Sequence, residues 1–141
     1  MKIMTEQAII LAALDARSRA YAPYSHFYVG AALLCKDGSI FCGVNIENAS
    51  YPAGICAERS AFCAALSAGQ RQFSALAIAG GKEDPSETDC PPCGICRQFI
   101  SEFCGADFPI LLVRSEKDYR RYTLGELLPE HFTLSPTGDQ K

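Results

Sequence analysis

The chain has 141 residues, of which 48% are hydrophobic and 21% are charged. This length and composition are typical of a single globular domain spanning residues 1–141, and they exclude a disordered or collagen-like chain. The net charge is -3, and no cluster of Lys and Arg exceeds the pair Arg120 and Arg121, so nucleic acid is not an expected partner. The longest apolar stretches reach only about half of the ~20 residues that a membrane-spanning helix needs, so we expect no membrane association.

Residues 5–21 have the spacing of apolar residues that is typical of an amphipathic helix. The same region loosely resembles a secretion signal, because residues 13–16 are similar to a signal-peptidase site. However, Glu6 and Gln7 interrupt the apolar region that a signal requires. We therefore favour a helix of the folded domain and expect the protein in the cytoplasm.

The rest of the chain alternates between strand and helix patterns. Residues 27–36 predict a buried strand, residues 36–39 a turn and residues 39–46 an antiparallel return strand. The later elements are a helix over 55–68, a strand over 73–80, a helix over 93–104, a strand over 108–114, a short helix over 123–132 and a frayed tail from about residue 133. The strand-helix-strand units place parallel strands in one sheet with helices on its faces, which predicts a three-layer α/β/α fold.

Eight cysteines are too few, at roughly 6% of the residues, for the ~8–10% that marks a disulfide scaffold. We therefore expect reduced thiols of two kinds. Four have apolar neighbours and are expected in the core: Cys35, Cys42, Cys63 and Cys104. Four lie beside Gly, Pro or charged residues and are expected to carry any chemistry: Cys56, Cys90, Cys93 and Cys96.

Three cysteines of the second group lie at the start of two predicted helices. Cys93 and Cys96 share one helical face, and adjacent crossovers can bring Cys56 beside them. Helix N-termini favour thiolates, and three thiolates suit Zn²⁺. Three protein ligands and a water are typical of catalytic zinc, whereas a closed structural site has four ligands, the fourth candidate being Cys90.

Glu58 lies two residues after Cys56, so its carboxylate can reach a zinc site without ligating the metal. We predict that Glu58 is the general acid/base. Three thiolates more than neutralise Zn²⁺, which should raise the pKa of water there, and Arg59 and Arg97 are the candidates to offset the charge. His26 and His131 lack ligand spacing and are expected at the surface.

Other interpretations of these residues are open. The cysteines could form a structural zinc module, or Cys93 and Cys96 a redox pair, although a redox pair leaves Cys56 and Glu58 unexplained. Asn45 and Glu47 could be turn residues at the end of a strand. Two aromatic residues could simply belong to the core: Phe27 and Phe132.

Five segments resemble the cytidine deaminase family, in its small homotetrameric type. They are PYSHFYVGAAL (23–33), GVNIENASY (43–51), CAERSA (56–61), PCGICRQ (92–98) and ELLPEHF (126–132). The resemblance covers roughly residues 20–132. Pro91 departs from it, because a Ser commonly precedes the Pro-Cys pair in the family.

The resemblance implies a zinc-dependent hydrolase that deaminates cytidine and deoxycytidine in pyrimidine salvage, built on a mixed sheet of about five strands. It implies one Zn²⁺ per subunit, held by Cys56, Cys93 and Cys96, with Glu58 as proton shuttle. It further implies substrate-binding roles for the ribose contacts Asn45 and Glu47, the packing residue Phe27, the backbone of Ala57 and, toward a neighbouring subunit, Phe132. Another aminopyrimidine nucleoside, including a nucleoside antibiotic, stays open as the substrate.

Overall fold

The computed structural model describes residues 3–136. In chain order the elements are α1 (Ile3–Arg17), β1 (Tyr28–Cys35), β2 (Ile40–Val44), α2 (Ala57–Ser67), β3 (Phe73–Gly81), α3 (Gly94–Ser101), β4 (Pro109–Val113), β5 (Tyr119–Thr123) and α4 (Leu124–Leu127). A short 3-10 turn, Tyr51–Ala53, precedes α2. Residues 137–141, the end of the predicted tail, lie outside the described residues.

The strands form one mixed sheet in the order β2-β1-β3-β4-β5. β1 is antiparallel to both of its neighbours, β3 and β4 are parallel, and β5 is antiparallel to β4. The sheet therefore contains a single parallel pair among the described strands, fewer than strand-helix-strand units alone suggest. β2 and β3 do not pair with each other because β1 lies between them, and the connection through α2 passes over β1. β2 and β3 still point the same way, and both end at the same edge of the sheet.

Helices cover both faces of the sheet, which confirms the three-layer α/β/α fold. On one face, Ile9 and Ile10 of α1 pack against a group that includes Ala32 and Leu34 of β1. On the other face, Phe62 of α2 packs in a larger group with alternate β1 residues and with residues of α3. This alternation along β1 follows from the two-residue period of a strand, which turns successive side chains to opposite faces.

A close backbone approach holds α2 against β2. A Cβ atom on Gly43 would lie 2.2 Å from the amide nitrogen of Ala61 and 2.5 Å from the carbonyl oxygen of Ala57. Such distances are far inside van der Waals contact, so the helix can pack at this depth only where β2 has no side chain. The glycine thereby lets the first turns of α2, which follow Cys56, lie directly against β2.

Several element boundaries differ from the sequence predictions. α1 ends at Arg17 rather than at residue 21, and α4 has only four residues of the predicted 123–132. Arg17 is buried, and its guanidinium donates hydrogen bonds to the carbonyls of Tyr28, Gly81 and Glu83, so the end of α1 is tied to the sheet. No sequence pattern predicted β5, which is an edge strand with largely exposed residues.

All eight cysteines are free thiols. Cys35 is buried and Cys104 is half-buried against the core, which confirms the prediction for these two. The prediction was wrong for Cys42 and Cys63, which are exposed, because Cys42 lies on the edge strand β2 and Cys63 on the outer side of α2. Within residues 3–136, none of the helices combines the length and the apolar character needed to span a bilayer.

Candidate active site

A cavity of about 670 Å³ lies at the sheet edge where β1 begins and where β2 ends. Its walls come from the segments before β1, after β2, at the start of α2 and before α3. A volume of this size is in the range of small-molecule sites. Among the predicted site residues, those that line it are Phe27, Asn45, Glu47, Cys56, Ala57, Glu58, Arg59 and Cys93.

Three cysteine sulfurs meet beside this cavity: Cys56 and Cys93 line it, and Cys96 is buried behind them. Cys56 is the N-cap residue of α2, Cys93 is the N-cap residue of α3, and Cys96 follows in the first turn of α3. The Sγ atom of Cys93 lies 3.8 Å from that of Cys56 and 3.6 Å from that of Cys96. All three sulfurs lie within 4.8 Å of one another, so the predicted cluster forms.

The spacing of the sulfurs fits Zn²⁺. A Zn–S bond of about 2.3 Å in tetrahedral geometry places two sulfur ligands about 3.8 Å apart. Cys56, Cys93 and Cys96 form the group of metal-ligating side chains found among residues 3–136, and Cys90 does not join it. Three sulfurs leave one tetrahedral position for a small molecule, as in catalytic zinc sites.

Hydrogen bonds within the cluster favour a thiolate. The hydrogen bond from Cys96 lowers the pKa of Cys56 to about 5, with a further contribution from Arg59. That same hydrogen bond raises the pKa of Cys96, whose proton it holds. The lowered pKa favours the Cys56 thiolate, which is the form that ligates a metal.

The structure distinguishes the two arginine candidates. The Nη2 atom of Arg59 lies 3.6 Å from Cys56 Sγ and donates a hydrogen bond to it. Arg97 instead donates from Nε to the carbonyl of Pro92 at 2.7 Å and from Nη1 to that of Leu127 at 2.6 Å. Arg59 thus faces the thiolates, whereas Arg97 ties the start of α3 to α4.

Glu58 lies in the first turn of α2 and is only 4% exposed. Burial raises the pKa of its carboxyl group to about 7, and the negative charge of Cys56 adds to this effect. A carboxyl group with a pKa near neutrality can both accept and release a proton, as a general acid/base must.

Asn45 and Glu47 lie just beyond β2 and bond to the segment that leads into β1. Asn45 Oδ1 accepts from the amide of Val29 at 2.9 Å, and Asn45 Nδ2 donates to the carbonyl of Phe27 at 2.8 Å. Glu47 accepts hydrogen bonds from the amides of Tyr24 and Ser25 and from the Ser25 hydroxyl. Both side chains therefore hold in place the residues 24–29 that form one wall of the cavity.

Comparison with known proteins identifies the family of this chain. Residues 4–112 match the cytidine and deoxycytidylate deaminase zinc-binding region, a span that includes all three clustered cysteines and Glu58. The chain belongs to this deaminase family. The cytidine deaminase of Halalkalibacterium halodurans is 46% identical over 136 residues, covering 96% of this chain and 100% of that protein.

Solved structures of the family share the fold. The cytidine deaminase of Burkholderia pseudomallei superposes with a TM-score of 0.83 at 43% identity, covering 94% of this chain and 100% of that one. The cytidine deaminase of Mycobacterium tuberculosis superposes with a TM-score of 0.77 at 38% identity, covering 92% of this chain and 98% of that one. Membership of a zinc-binding family and a cysteine cluster of matching geometry make Zn²⁺ the cofactor of this chain.

Phe132 is the one predicted substrate contact that this chain does not place at the cavity. Its side chain is 57% exposed, and its carbonyl accepts from Gln98 Nε2 at 2.8 Å. Both histidines are exposed, as predicted. Sequence reasoning did not assign site roles to these other lining residues: Tyr24, Ser25, Val29 and Tyr51. Cys90, the candidate fourth ligand, lines the cavity but does not join the cysteine cluster. Tyr24 and Ser25 lie within the family-like segment PYSHF, which was the available signal.

Proposed function

We propose that this chain hydrolyses cytidine and deoxycytidine to uridine and deoxyuridine, releasing ammonia, with Zn²⁺ as cofactor. The observation that carries the proposal is the buried carboxyl group of Glu58 beside the Cys56, Cys93 and Cys96 cluster, in a cavity of nucleoside size. A structural zinc module has no need of a buried carboxyl group or of an open cavity. Membership of the deaminase family supports the same conclusion.

In this proposal Cys56, Cys93 and Cys96 hold the metal. Zinc held there would act as a Lewis acid, which lowers the pKa of water and so provides a nucleophile near neutral pH. The Glu58 carboxylate accepts a proton from that water and passes it to the pyrimidine ring nitrogen. As the water oxygen bonds to the ring carbon, Glu58 carries the second proton of the same water to the exocyclic amine. The bond between the ring carbon and the amine then breaks and ammonia leaves, so one water is consumed for each ammonia released.

The remaining residues bind and orient the nucleoside. Phe27 supplies an apolar wall for the pyrimidine, and the backbone of Ala57 reads the base edge. Asn45 and Glu47 bind the ribose hydroxyls, since an ionised carboxylate accepts hydrogen bonds and an amide both donates and accepts. A 5′-phosphate near Glu47 would be repelled, so we propose that the substrate is a free nucleoside.

We propose further that the single-domain chain works as a homotetramer in the cytoplasm, in pyrimidine salvage. Phe132 is exposed and lies away from the cavity of its own chain, so it is free to contact the substrate of a neighbouring subunit. Eight free thiols suit a reducing compartment. Light scattering of the zinc-loaded protein tests the assembly, and a fully active monomer would refute it.

The test of the activity compares kcat/KM for cytidine, deoxycytidine, cytidine monophosphate and cytosine, followed by ultraviolet absorbance and ammonia release. We expect the two nucleosides to be the best substrates and cytosine to be poor, because cytosine lacks the ribose that positions the ring. Equal activity on the monophosphate would contradict the role of Glu47. Activity confined to another aminopyrimidine nucleoside would support the proposed deamination reaction but contradict cytidine and deoxycytidine as the substrates.

A further inference from the structure

The carboxylate of Glu47 is held in place although it lies outside the strands. Residues 45–47 continue past the end of β2 at Val44, and the Glu47 amide donates to the carbonyl of Tyr21 at 2.9 Å. The backbone is therefore fixed, but a glutamate side chain has three rotatable bonds and loses rotamer entropy when it is ordered. Something must supply the contacts that order it.

The contacts come from the two residues that precede His26. Oε1 of Glu47 accepts from the amide of Tyr24 at 2.9 Å and from that of Ser25 at 3.1 Å. Oε2 accepts from the Ser25 hydroxyl. The two amides hold one oxygen, so the Ser25 hydroxyl is what fixes the rotation of the carboxylate plane.

The Ser25 hydroxyl also contacts the other wall of the site. Its Oγ atom accepts a hydrogen bond from the amide of Phe27 at 3.0 Å. The intervening His26 has a φ of 57°, the left-handed region that non-glycine residues seldom adopt. One hydroxyl thus connects the proposed ribose acceptor Glu47 to the backbone of the proposed base-packing residue Phe27.

The number of hydrogen bonds leaves room for a ligand. An ionised carboxylate has about four acceptor positions, and three are used by the segment before β1. The hydrogen bond from the Ser25 hydroxyl is also the main cause that lowers the pKa of Glu47, so the group stays an anionic acceptor. The remaining acceptor position is available to a sugar hydroxyl.

We propose that Ser25 is a positioning residue, which orients the Glu47 carboxylate for the ribose of the substrate. This inference rests on the proposed role of Glu47 in nucleoside binding. Ser25 acts through Glu47 and takes no part in the chemistry at the pyrimidine ring. Its removal should therefore weaken substrate binding while the rate of the bound complex stays nearly unchanged.

The experiment compares Ser25→Ala, Ser25→Thr and Ser25→Ala combined with Glu47→Gln, in zinc-loaded protein. Because the Ser25 hydroxyl bonds to a charged group, we expect Ser25→Ala to lower kcat/KM for cytidine roughly 10- to 160-fold, mainly through KM. Ser25→Thr, which retains the hydroxyl, should restore most of this loss. In the Glu47→Gln background, Ser25→Ala should have almost no further effect, because the residue it acts through is already altered.

Ser39→Ala is the matched control. The Ser39 hydroxyl donates to the Asp37 carboxylate at 2.6 Å in the turn between β1 and β2, a similar pairing at the opposite end of the sheet. This variant should leave kcat/KM unchanged. An unchanged kcat/KM for Ser25→Ala would overturn the proposal, as would an equal loss with and without Glu47→Gln.

A measurement that needs no activity separates this inference from the proposed function. The pKa of Glu47, followed by NMR titration, should rise toward the ordinary glutamate value in Ser25→Ala and return in Ser25→Thr. His26, whose ring also lowers the pKa of Glu47, is present in every variant. If the wild-type protein failed to deaminate cytidine, the proposed function would fail, yet a rising pKa would still support the positioning and a constant pKa would still refute it.

Discussion

The Sγ atoms of Cys56 and Cys93 lie 3.8 Å apart, although 37 positions separate the two residues in the chain. Each is the N-cap residue of its helix, and the two helices follow β2 and β3, which end at the same edge of the sheet. The crossing of α2 over β1 therefore assembles the proposed metal site. The positive ends of both helix dipoles point at it, which favours thiolates.

Replacing one clustered sulfur should remove the metal. We expect Cys93→Ser to lose most of its zinc, because a serine hydroxyl is not ionised at neutral pH and two thiolates bind zinc far less tightly than three. Cys63→Ser is the control, since Cys63 is exposed and lies outside the cluster. Elemental analysis after dialysis measures the effect, and equal zinc content in both variants would contradict the assignment.

Replacing the buried carboxyl group should stop turnover without removing the metal. Glu58→Gln keeps the size of the side chain but cannot carry a proton, so we expect kcat to fall at least about 10²- to 10⁴-fold with zinc retained. Glu102→Gln makes the same chemical change at an exposed position and should behave as wild type. Near-normal turnover in zinc-loaded Glu58→Gln would disprove the proposed role.

The two arginines should affect different properties. Arg59→Ala removes a donor to the Cys56 sulfur and should weaken zinc binding about 10- to 100-fold, as measured by competition with a chelator. Arg97→Ala leaves the carbonyls of Pro92 and Leu127 without their donor and should lower the free energy of unfolding by about 1–3 kcal/mol. Weaker zinc binding in Arg97→Ala, together with unchanged zinc binding in Arg59→Ala, would show that Arg97 offsets the thiolate charge.

The contact between β2 and α2 predicts a contrast between two glycines. Gly43→Ala places a Cβ 2.2 Å from the amide nitrogen of Ala61, so we expect a loss of about 1–3 kcal/mol or more and displacement of α2. A Cβ on Gly94, at the start of α3, would meet nothing within 4 Å, so Gly94→Ala should change stability by less than about 1 kcal/mol. Urea unfolding of the zinc-loaded variants distinguishes them.

The parts of the fold that depend on local patterns were predictable from the sequence. The apolar run of β1, the turn after it and the two helices that follow glycine-rich or proline-rich loops gave elements within a few residues of those observed. β5 was not predictable in this way. Its sequence, YRRYT, has two adjacent arginines and so lacks the alternation of apolar and polar residues that predicts a strand with one buried face. An edge strand tolerates these charges because one of its sides has no neighbouring strand.

The candidate site likewise has features that the sequence predicted and contacts that it did not. The spacing of Cys56, Glu58, Cys93 and Cys96 predicted a cluster that the fold assembles. The contact of Ser25 with Glu47 joins residues 22 positions apart, one before β1 and one after β2, and no periodic pattern encodes it. Likewise, the choice between Arg59 and Arg97 required side-chain directions, since each arginine follows a proposed zinc ligand by one or a few residues.

Zinc titration of chelator-stripped protein, with the initial rate of cytidine deamination as readout, shows whether this chain needs zinc to deaminate cytidine. We expect the stripped protein to be inactive and its activity to rise in proportion to added zinc until one ion is bound per chain. Uridine and ammonia should appear in equal amounts. Full activity in protein shown to be free of metal, or zinc binding without any loss of cytidine, would contradict this expectation.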